Sequence, residues 1–169
     1  DVVHNLKHQL KNKRVLLLGA GGAARGALLP FLSEAPELLV IANRTLSKAQ
    51  ELKSIAEKNK VQQTNLSALS FSELAGMQFD VIFNATSASL RNELPAIPAT
   101  VFGPESLAYE LAYAKGLTPF LRLAQNAGVR HLADGVGMLA EQAAEAFAWW
   151  RGIRPDTAEV IRELTVPLN

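Results

Sequence analysis

Short unbroken runs of apolar residues alternate with longer stretches in which apolar residues recur every three or four positions. The short runs are typical of strands buried on both faces of a parallel sheet, and the longer stretches are typical of amphipathic helices. The predicted strands are residues 15–18, 38–42, 61–64, 79–84, 106–111 and 129–133. The predicted helices are residues 1–11, 23–32, 46–59, 118–127, 138–150 and 157–164. This alternation predicts the α/β class, with a Rossmann-like, doubly wound and mainly parallel six-stranded sheet that has helices on both faces.

A glycine-rich turn follows the first predicted strand. Gly19 permits a tight turn, and Gly21 has no side chain, so a pyrophosphate can approach the backbone. The free N–H groups at the start of the next helix also favour the negative charge of a pyrophosphate. The alternative is a plain glycine turn in some other α/β protein. The predicted contacts to a dinucleotide at this turn are Gly19, Ala20, Gly21, Gly22 and Ala23.

The second predicted strand ends in Asn43, Arg44 and Thr45, with Lys48 one turn into the following helix. Proteins that prefer NAD place an acid near this position, where it binds the ribose 2′-hydroxyl. A carboxylate would repel a 2′-phosphate, whereas a guanidinium binds one through two parallel hydrogen bonds. We therefore predict NADP as the cofactor, with Arg25 adding charge from the first helix. The alternative is an ordinary solvated helix start, in which Thr45 is only the N-cap.

The strand 79–84 ends in a run of small residues, Asn84, Ala85, Thr86 and Ser87. Ligands of open α/β sheets lie beyond the carboxyl ends of the strands. These four residues are therefore predicted to contact the ribose and nicotinamide of the cofactor. A solvent-exposed turn is the alternative.

The composition fits one globular domain over residues 1–169, since 49% of the residues are hydrophobic and 20% are charged. A formal net charge of +1 gives no reason to expect nucleic acid or an acidic membrane surface as a partner. No apolar stretch has the length of a membrane span. The absence of cysteine excludes thiol catalysis and disulfides, and it fits a cytoplasmic protein. In the helix 138–150, the alanines together with Leu139, Phe147 and Trp150 indicate burial.

The chain begins at Asp1, inside the predicted amphipathic helix 1–11. We therefore expect it to be part of a longer protein. This helix and the helices within residues 138–165 are expected to pack on the missing part, with exposed apolar surface around Trp149 or Trp150. A homodimer is a further arrangement that the sequence leaves open.

A ketone reductase needs a proton donor beside the path of the hydride, and the sequence predicts no catalytic residue of this kind. His4 and His8 lie in the opening segment and His131 lies in a predicted strand, where structural or surface roles are expected. Asp134 fits a turn former. No pair of acids or histidines has the spacing of metal ligands. The cofactor-binding half of a dehydrogenase is thus predicted without its acid–base half.

Together these motifs resemble the C-terminal NADP-binding domain of the shikimate dehydrogenase family, over essentially the whole chain. The similar segments are residues 19–26, 43–45 with Lys48 and Ala49, 84–87, Tyr113 with 118–121, and 134–139 with Gln142. The resemblance implies the family's reaction, which is the reversible NADP-dependent interconversion of 3-dehydroshikimate and shikimate. It also implies that these small molecules are bound jointly with an N-terminal substrate domain.

The resemblance assigns roles by position. It implies that Leu111, Gly135 and Met138 border the nicotinamide and that Tyr113 and Gln142 contact the substrate. The family's catalytic Lys–Asp pair belongs to the N-terminal domain, which nothing in this chain matches. We therefore expect the isolated chain to bind cofactor without turnover.

Three residues depart from the family's pattern. Ser89 replaces a usual glycine, Glu110 replaces an aspartate, and Leu111 stands where some members have methionine. A quinate/shikimate dehydrogenase of the same family remains an alternative. A non-catalytic NADP-binding sensor or interaction module remains another, and the sequence upstream of Asp1 would separate the three.

Overall fold

The computed structural model describes residues 1–58, 64–113 and 116–168. Its centre is a sheet of six parallel strands: β1 (Arg14–Leu18), β2 (Leu38–Ala42), β3 (Asn65–Leu69), β4 (Phe79–Asn84), β5 (Phe102–Glu110) and β6 (His131–Ala133). The strand order is β3-β2-β1-β4-β5-β6, and every neighbouring pair is parallel. After β3 the chain returns to the middle of the sheet, where β4 pairs with β1. The sheet is doubly wound and Rossmann-like, as the sequence predicts, and this strand order opens a crevice between β1 and β4.

The helices cover both faces of the sheet. They are α1 (Gly22–Ser33), α2 (Leu46–Lys58), α3 (Pro119–Asn126), α4 (Val136–Arg151) and α5 (Ala158–Leu164), with short 3₁₀ helices at Phe71–Leu74, Ser89–Arg91 and Ala99–Val101. Alternate residues of each strand point to opposite faces. Val15 and Leu17 therefore pack into the core beneath α1 and α2, whereas Leu16 and Leu18 pack into the core beneath α3. All four side chains are fully buried, as the unbroken apolar run predicts.

The predicted opening helix of residues 1–11 is wrong. The segment forms a turn at its start, in which the N–H groups of Asn5 and Leu6 donate to the carbonyl oxygen of Asp1 at 2.9 and 3.1 Å. Lys7 and Asn12 then take positive φ angles of 58° and 59°. A right-handed helix cannot continue through such residues. The apolar spacing survives only in that Val2 and Leu10 are buried.

Other element bounds differ from those predicted. The predicted strand at 61–64 falls mostly on residues 61–63, which lie outside the described residues. The strand that follows α2 in the structure is β3, at Asn65–Leu69. β5 begins four residues early because Phe102 pairs with Phe79 before a register shift. The expected burial of Phe147 and Trp150 is wrong, since both side chains are exposed. In the described part of the chain, no helix is both long and apolar enough to cross a membrane.

Candidate functional site

A cleft of about 320 Å³ opens at the carboxyl ends of β1, β2 and β4. The strand order creates it, since the loops after β1 and β4 diverge at this point. Its walls carry backbone and side chains from the glycine turn, from the end of β2 and from the segment that follows β4. The lining residues are Gly19, Ala20, Gly21, Asn43, Arg44, Phe71, Thr86, Ser87, Ala88, Arg91, Glu93, Leu94, Pro95 and Ala96.

The glycine turn forms the floor of the cleft. Gly19 has a φ of +103°, and a Cβ atom there would lie 2.9 Å from the carbonyl oxygen of Ala85. Only glycine fits this position without strain. At Gly21, by contrast, a Cβ atom would meet nothing within 4 Å, so the space above this backbone is open. No side chain caps the start of α1, and its first turn carries no acid. The first N–H groups of α1 are therefore left for an anion.

The end of β2 forms one wall. The amide nitrogen of Asn43 donates to the carbonyl oxygen of Thr45 at 2.9 Å, which fixes the turn into α2. Arg44 is exposed and lines the cleft. Among the described residues, no hydrogen bond or ion pair engages its guanidinium. Thr45 and Lys48 are exposed at the start of α2, just outside the lining.

Arg25 is directed elsewhere. Its guanidinium pairs with Glu51 of α2 at 3.1 Å, and both side chains are more than half exposed. It does not line the cleft. Gly22 and Ala23, at the start of α1, lie exposed next to the glycine turn.

A buried carboxylate holds the opposite wall. Glu110, the last residue of β5, is fully buried. Its Oε2 accepts hydrogen bonds from Asn84 Nδ2 at 2.9 Å, Ser89 Oγ at 2.5 Å and Thr118 Oγ1 at 3.1 Å. Its Oε1 faces the N–H of Ala112 at 3.4 Å. One acid thus ties together the end of β4, the segment after it and the start of α3. Ser89 and Glu110, at both of which the resemblance leads us to expect a different residue, bond to each other.

The network continues from Asn84 to the cleft surface. Asn84 Oδ1 accepts from the N–H of Thr86 at 3.1 Å and from its hydroxyl at 2.8 Å. Thr86 Oγ1 in turn lies 3.3 Å from the N–H of Ala88. The side chain of Asn84 is therefore buried beneath the cleft, and it shapes the backbone that presents Thr86 and Ser87 to it. Ala85 is half-buried at the same strand end.

Burial and hydrogen bonding act in opposite directions on Glu110. Burial penalises the charged form and raises the pKa of this carboxyl above its ordinary value of 4.5. The hydrogen bonds from Ser89, Asn84 and Thr118 lower the pKa, but by less. The carboxyl therefore keeps its proton at a higher pH than a solvated glutamate does.

Leu111, Gly135 and Met138 come together beside β5. The N–H of Leu111 donates to the carbonyl oxygen of Asn84 at 3.0 Å, and the N–H of Gly135 donates to that of Ala112 at 3.1 Å. A Cβ atom at Gly135 would overlap the carbonyl oxygen of Leu111, so the start of α4 can approach β5 only at a glycine. Leu111 and Met138 share a separate, mostly apolar pocket of about 220 Å³.

Tyr113 and Gln142 are exposed, and neither lines the cleft. Asp134 accepts from the N–H of Val136 at 3.2 Å, as expected of a turn former, and burial raises its pKa. Within residues 1–58, 64–113 and 116–168, no group of three or more metal-ligating side chains is close enough to hold a metal ion.

Seven lining residues were not predicted from the sequence: Phe71, Ala88, Arg91, Glu93, Leu94, Pro95 and Ala96. Phe71 reaches the cleft from the 3₁₀ helix that follows β3. The sequence indicates that Ser70 and Glu73 cap this helix, but it does not indicate that the helix lies over the cleft. Arg91 and Glu93 reach it from the segment after β4, and their spacing alone gives no signal of a site.

The family model described as shikimate/quinate 5-dehydrogenase matches residues 1–92, more than half of the chain. This chain belongs to the shikimate/quinate 5-dehydrogenase family. A second model, described as the shikimate 5′-dehydrogenase C-terminal domain, matches residues 135–165. The two matches cover the glycine turn, Arg44 and the segment after β4, and then α4 and α5.

Relatives in the shikimate/quinate 5-dehydrogenase family are similar over the whole chain. The shikimate dehydrogenase (NADP(+)) of Aromatoleum aromaticum is 52% identical over 169 residues, which are 100% of this chain and 60% of that protein. The shikimate dehydrogenase (NADP(+)) of Nitrosospira multiformis is 51% identical with the same coverage. The crystal structure of an Ael1 enzyme from Pseudomonas putida is 58% identical, with a TM-score of 0.90 over 100% of this chain and 60% of that chain. The chain thus spans about three fifths of the length of the curated relatives it matches.

Proposed function

We propose that this chain is the NADP(H)-binding domain of an NADP-dependent shikimate dehydrogenase. The whole protein would reversibly reduce 3-dehydroshikimate to shikimate, with the substrate held between this domain and the remainder of the protein. The names of the relatives support the activity, since proteins about half identical to this chain are shikimate dehydrogenases that use NADP(+). We also infer a cytoplasmic location, because a chain without cysteine fits a reducing compartment.

The observation that carries the proposal is the exposed guanidinium of Arg44, which lines the same cleft as the glycine turn. The open backbone at Gly21 and the uncapped start of α1 fit a pyrophosphate. Arg44 then lies where the 2′-phosphate of the adenosine ribose would be bound, with Thr45 and Lys48 alongside it.

Other residues fit the remaining parts of the cofactor. Phe71 offers apolar surface to the adenine, and Thr86 and Ser87 offer hydroxyl and backbone groups to the ribose and nicotinamide. We further propose the roles that the resemblance implies, with one group bordering the nicotinamide and another contacting the substrate. The first group is Leu111, Gly135 and Met138, and the second is Tyr113 and Gln142. When bound, the nicotinamide supplies or accepts the hydride, and the acid–base group comes from the rest of the protein.

Titration of the chain with NADP⁺ and with NAD⁺ tests the proposal. We expect Arg44→Asp to weaken NADP⁺ binding by more than about tenfold, because a charge-assisted hydrogen bond contributes about 1.5–3 kcal/mol, and to leave NAD⁺ binding much less affected. Arg130→Asp is the matched control, because it makes the same change of charge at the amino end of β6, where Arg130 pairs with Glu105. An unchanged ratio of NADP⁺ to NAD⁺ affinity would remove Arg44 from the site.

A second test asks whether the chain binds the cofactor without catalysing the reaction. The isolated chain should bind NADP⁺ and yet form no NADPH when shikimate is added, as followed by absorbance. Robust turnover would show that the acid and base lie within these 169 residues after all.

We propose that the α4–α5 apolar surface packs on the rest of the longer protein. This surface consists of Phe147, Trp149, Trp150, Ile153, Val160, Leu164 and Val166. Trp149 and Trp150 are 88% and 82% exposed, which is unusual for side chains of this size. α5 itself is secured to α4, because Arg154 pairs with Glu141 and Glu145 and Thr157 donates to Glu141 at 2.7 Å. In the isolated chain, this surface is free to associate with a second copy.

Dye binding and sedimentation test this packing. The isolated chain should enhance the fluorescence of a hydrophobic dye and should form dimers that dissociate on dilution. Trp149→Lys together with Trp150→Lys should reduce both effects, with Arg151→Ala as a neighbouring control. A monomer that binds no dye would contradict the proposal.

A further inference from the structure

An acid faces the cleft although the end of β2 carries none. Glu93 lines the cleft from the β4 side, together with Arg91. After the 3₁₀ helix Ser89–Arg91, Asn92 takes a left-handed φ of 55°, and the N–H of Glu93 donates back to the carbonyl oxygen of Ala88 at 2.9 Å. This tight turn brings the side chains of Arg91 and Glu93 onto the same side.

Arg91 holds the carboxylate of Glu93 in a bidentate pair. Arg91 Nε donates to Glu93 Oε1 at 3.1 Å, and Nη2 donates to Oε2 at 2.9 Å. The remaining nitrogen, Nη1, donates to Ser87 Oγ at 3.2 Å. The guanidinium is thus oriented at both of its ends, although both side chains of the pair are about half exposed. Bidentate geometry is the arrangement in which an exposed ion pair best keeps its partners together.

Arg44 also acts on Glu93. The hydrogen bonds from Arg91 lower the pKa of Glu93 most, and the positive charge of Arg44 lowers it further. Glu93 and Arg44 also line the same cleft, so the carboxylate faces the space into which the proposed function places the 2′-phosphate. An acid in that place repels a 2′-phosphate and competes with it for Arg44. Arg44, Arg91 and Glu93 are the charged residues among those that line the cleft.

We propose that Arg91 is a specificity-determining residue for NADP, because it masks the carboxylate of Glu93 and so prevents this acid from repelling the 2′-phosphate at Arg44. The inference rests on the proposed function and names a second element of cofactor choice, on the wall opposite β2. Without Arg91, the chain carries an unmasked acid in the cleft. Glu93 then repels a 2′-phosphate from the wall opposite β2.

A double-mutant cycle tests the masking. The 169-residue chain, Arg91→Ala, Glu93→Gln and the double variant are titrated with NADP⁺ and with NAD⁺ at low ionic strength, where exposed charges are least screened. Arg91→Ala should weaken NADP⁺ binding by about three- to fivefold, the size expected of an exposed charge pair, and should change NAD⁺ binding by less than about twofold. Glu93→Gln should bind NADP⁺ at least as tightly as the parent. The double variant should return to within about twofold of the parent.

The Arg130–Glu105 pair supplies the matched control. It is an exposed ion pair of 3.7 Å outside the cleft, and Arg130→Ala with Glu105→Gln should leave both affinities unchanged. Thermal melts should coincide for all of these variants, since each alters only exposed side chains.

The possible failures differ. An Arg91→Ala variant that keeps the parent's NADP⁺ affinity, or that loses both nucleotides equally, overturns the inference. A double variant as weak as Arg91→Ala also overturns it, because Arg91 would then bind phosphate directly and mask nothing. A parent chain that binds neither nucleotide refutes the proposed function, and this inference with it.

Discussion

Removal of the buried carboxylate of Glu110 should destabilise the whole carboxyl edge of the sheet. Glu110→Ala would leave Asn84 Nδ2 and the hydroxyls of Ser89 and Thr118 without the acceptor that they share. About 1 kcal/mol for each hydrogen bond and about 0.8 kcal/mol for the lost methylene give a cost of about 4 kcal/mol. Relief from burying a carboxylate offsets part of this, so we expect a net loss of about 3 kcal/mol in the free energy of unfolding.

Glu110→Gln is the matched variant. Its amide oxygen can accept the same three hydrogen bonds, and its NH₂ group replaces only the oxygen that faces the N–H of Ala112 at 3.4 Å. We expect a change within about 1 kcal/mol of the parent at acidic pH. Urea unfolding followed by circular dichroism measures both variants. Equal stability of the Ala variant and the parent would refute the idea that Glu110 secures the end of β4.

The pH dependence follows from the raised pKa of Glu110. The folded protein holds this proton more tightly than the unfolded chain, so the stability contributed by the group is fully present below about pH 4.5 and is lost as the pH rises through the folded pKa. The Gln variant has no such proton. The parent should therefore lose stability relative to Glu110→Gln as the pH is raised from 4.5 to neutral. A difference that is constant, or that grows in favour of the parent, would contradict the raised pKa.

Two further predictions use paired substitutions. Gly19→Ala should cost about 2–3 kcal/mol in the free energy of unfolding, because a side chain at positive φ is strained and its Cβ would lie 2.9 Å from the carbonyl oxygen of Ala85. Gly21→Ala should leave unfolding by urea unchanged, because its Cβ would meet no other atom, but it should weaken NADP⁺ binding. Leu28→Ala should cost about 2–5 kcal/mol because this residue of α1 is 1% exposed, whereas Leu29→Ala, at 43% exposure, should change stability by less than about 0.5 kcal/mol. If both substitutions of a pair lowered the free energy of unfolding equally, the strain at Gly19 or the burial of Leu28 would not determine the effect of the substitution.

The centre of the sheet is readable from the sequence because β1, β2 and β4 are predominantly apolar runs, which is typical of strands buried on both faces of a parallel sheet. β1, β2 and β4 lie where these runs predict. The helix predicted for residues 1–11 is wrong because the spacing of apolar residues carries no information about the left-handed φ angles of Lys7 and Asn12. The tryptophans at the end of α4 were ambiguous for a different reason. Apolar character alone does not distinguish a side chain that is buried within a domain from one at its outer surface.

The site divides in a similar way. Gly19, Gly21 and Arg44 are predictable because each lies in the loop just after a strand and the topology brings those strand ends together. Arg91 and Glu93 are not, because their place on the cleft depends on a tight turn at Asn92 that no local pattern announces. The link from Glu110 to Asn84 joins residues 26 positions apart through side chains, which a linear reading of the chain does not reveal.

The order of the strands also sets the sequence of events as the chain leaves the ribosome. β1 and β2 precede β4 in the chain, so the glycine turn and Arg44 are synthesised before the facing wall of the cleft. The facing wall must wait for β4 to dock on the vacant edge of β1, and Asn84 is fixed only when Glu110 arrives with β5. A nascent chain that stops before Glu110 lacks β6 and the acceptor that fixes Asn84, so it exposes an unpaired strand edge of the kind that favours aggregation.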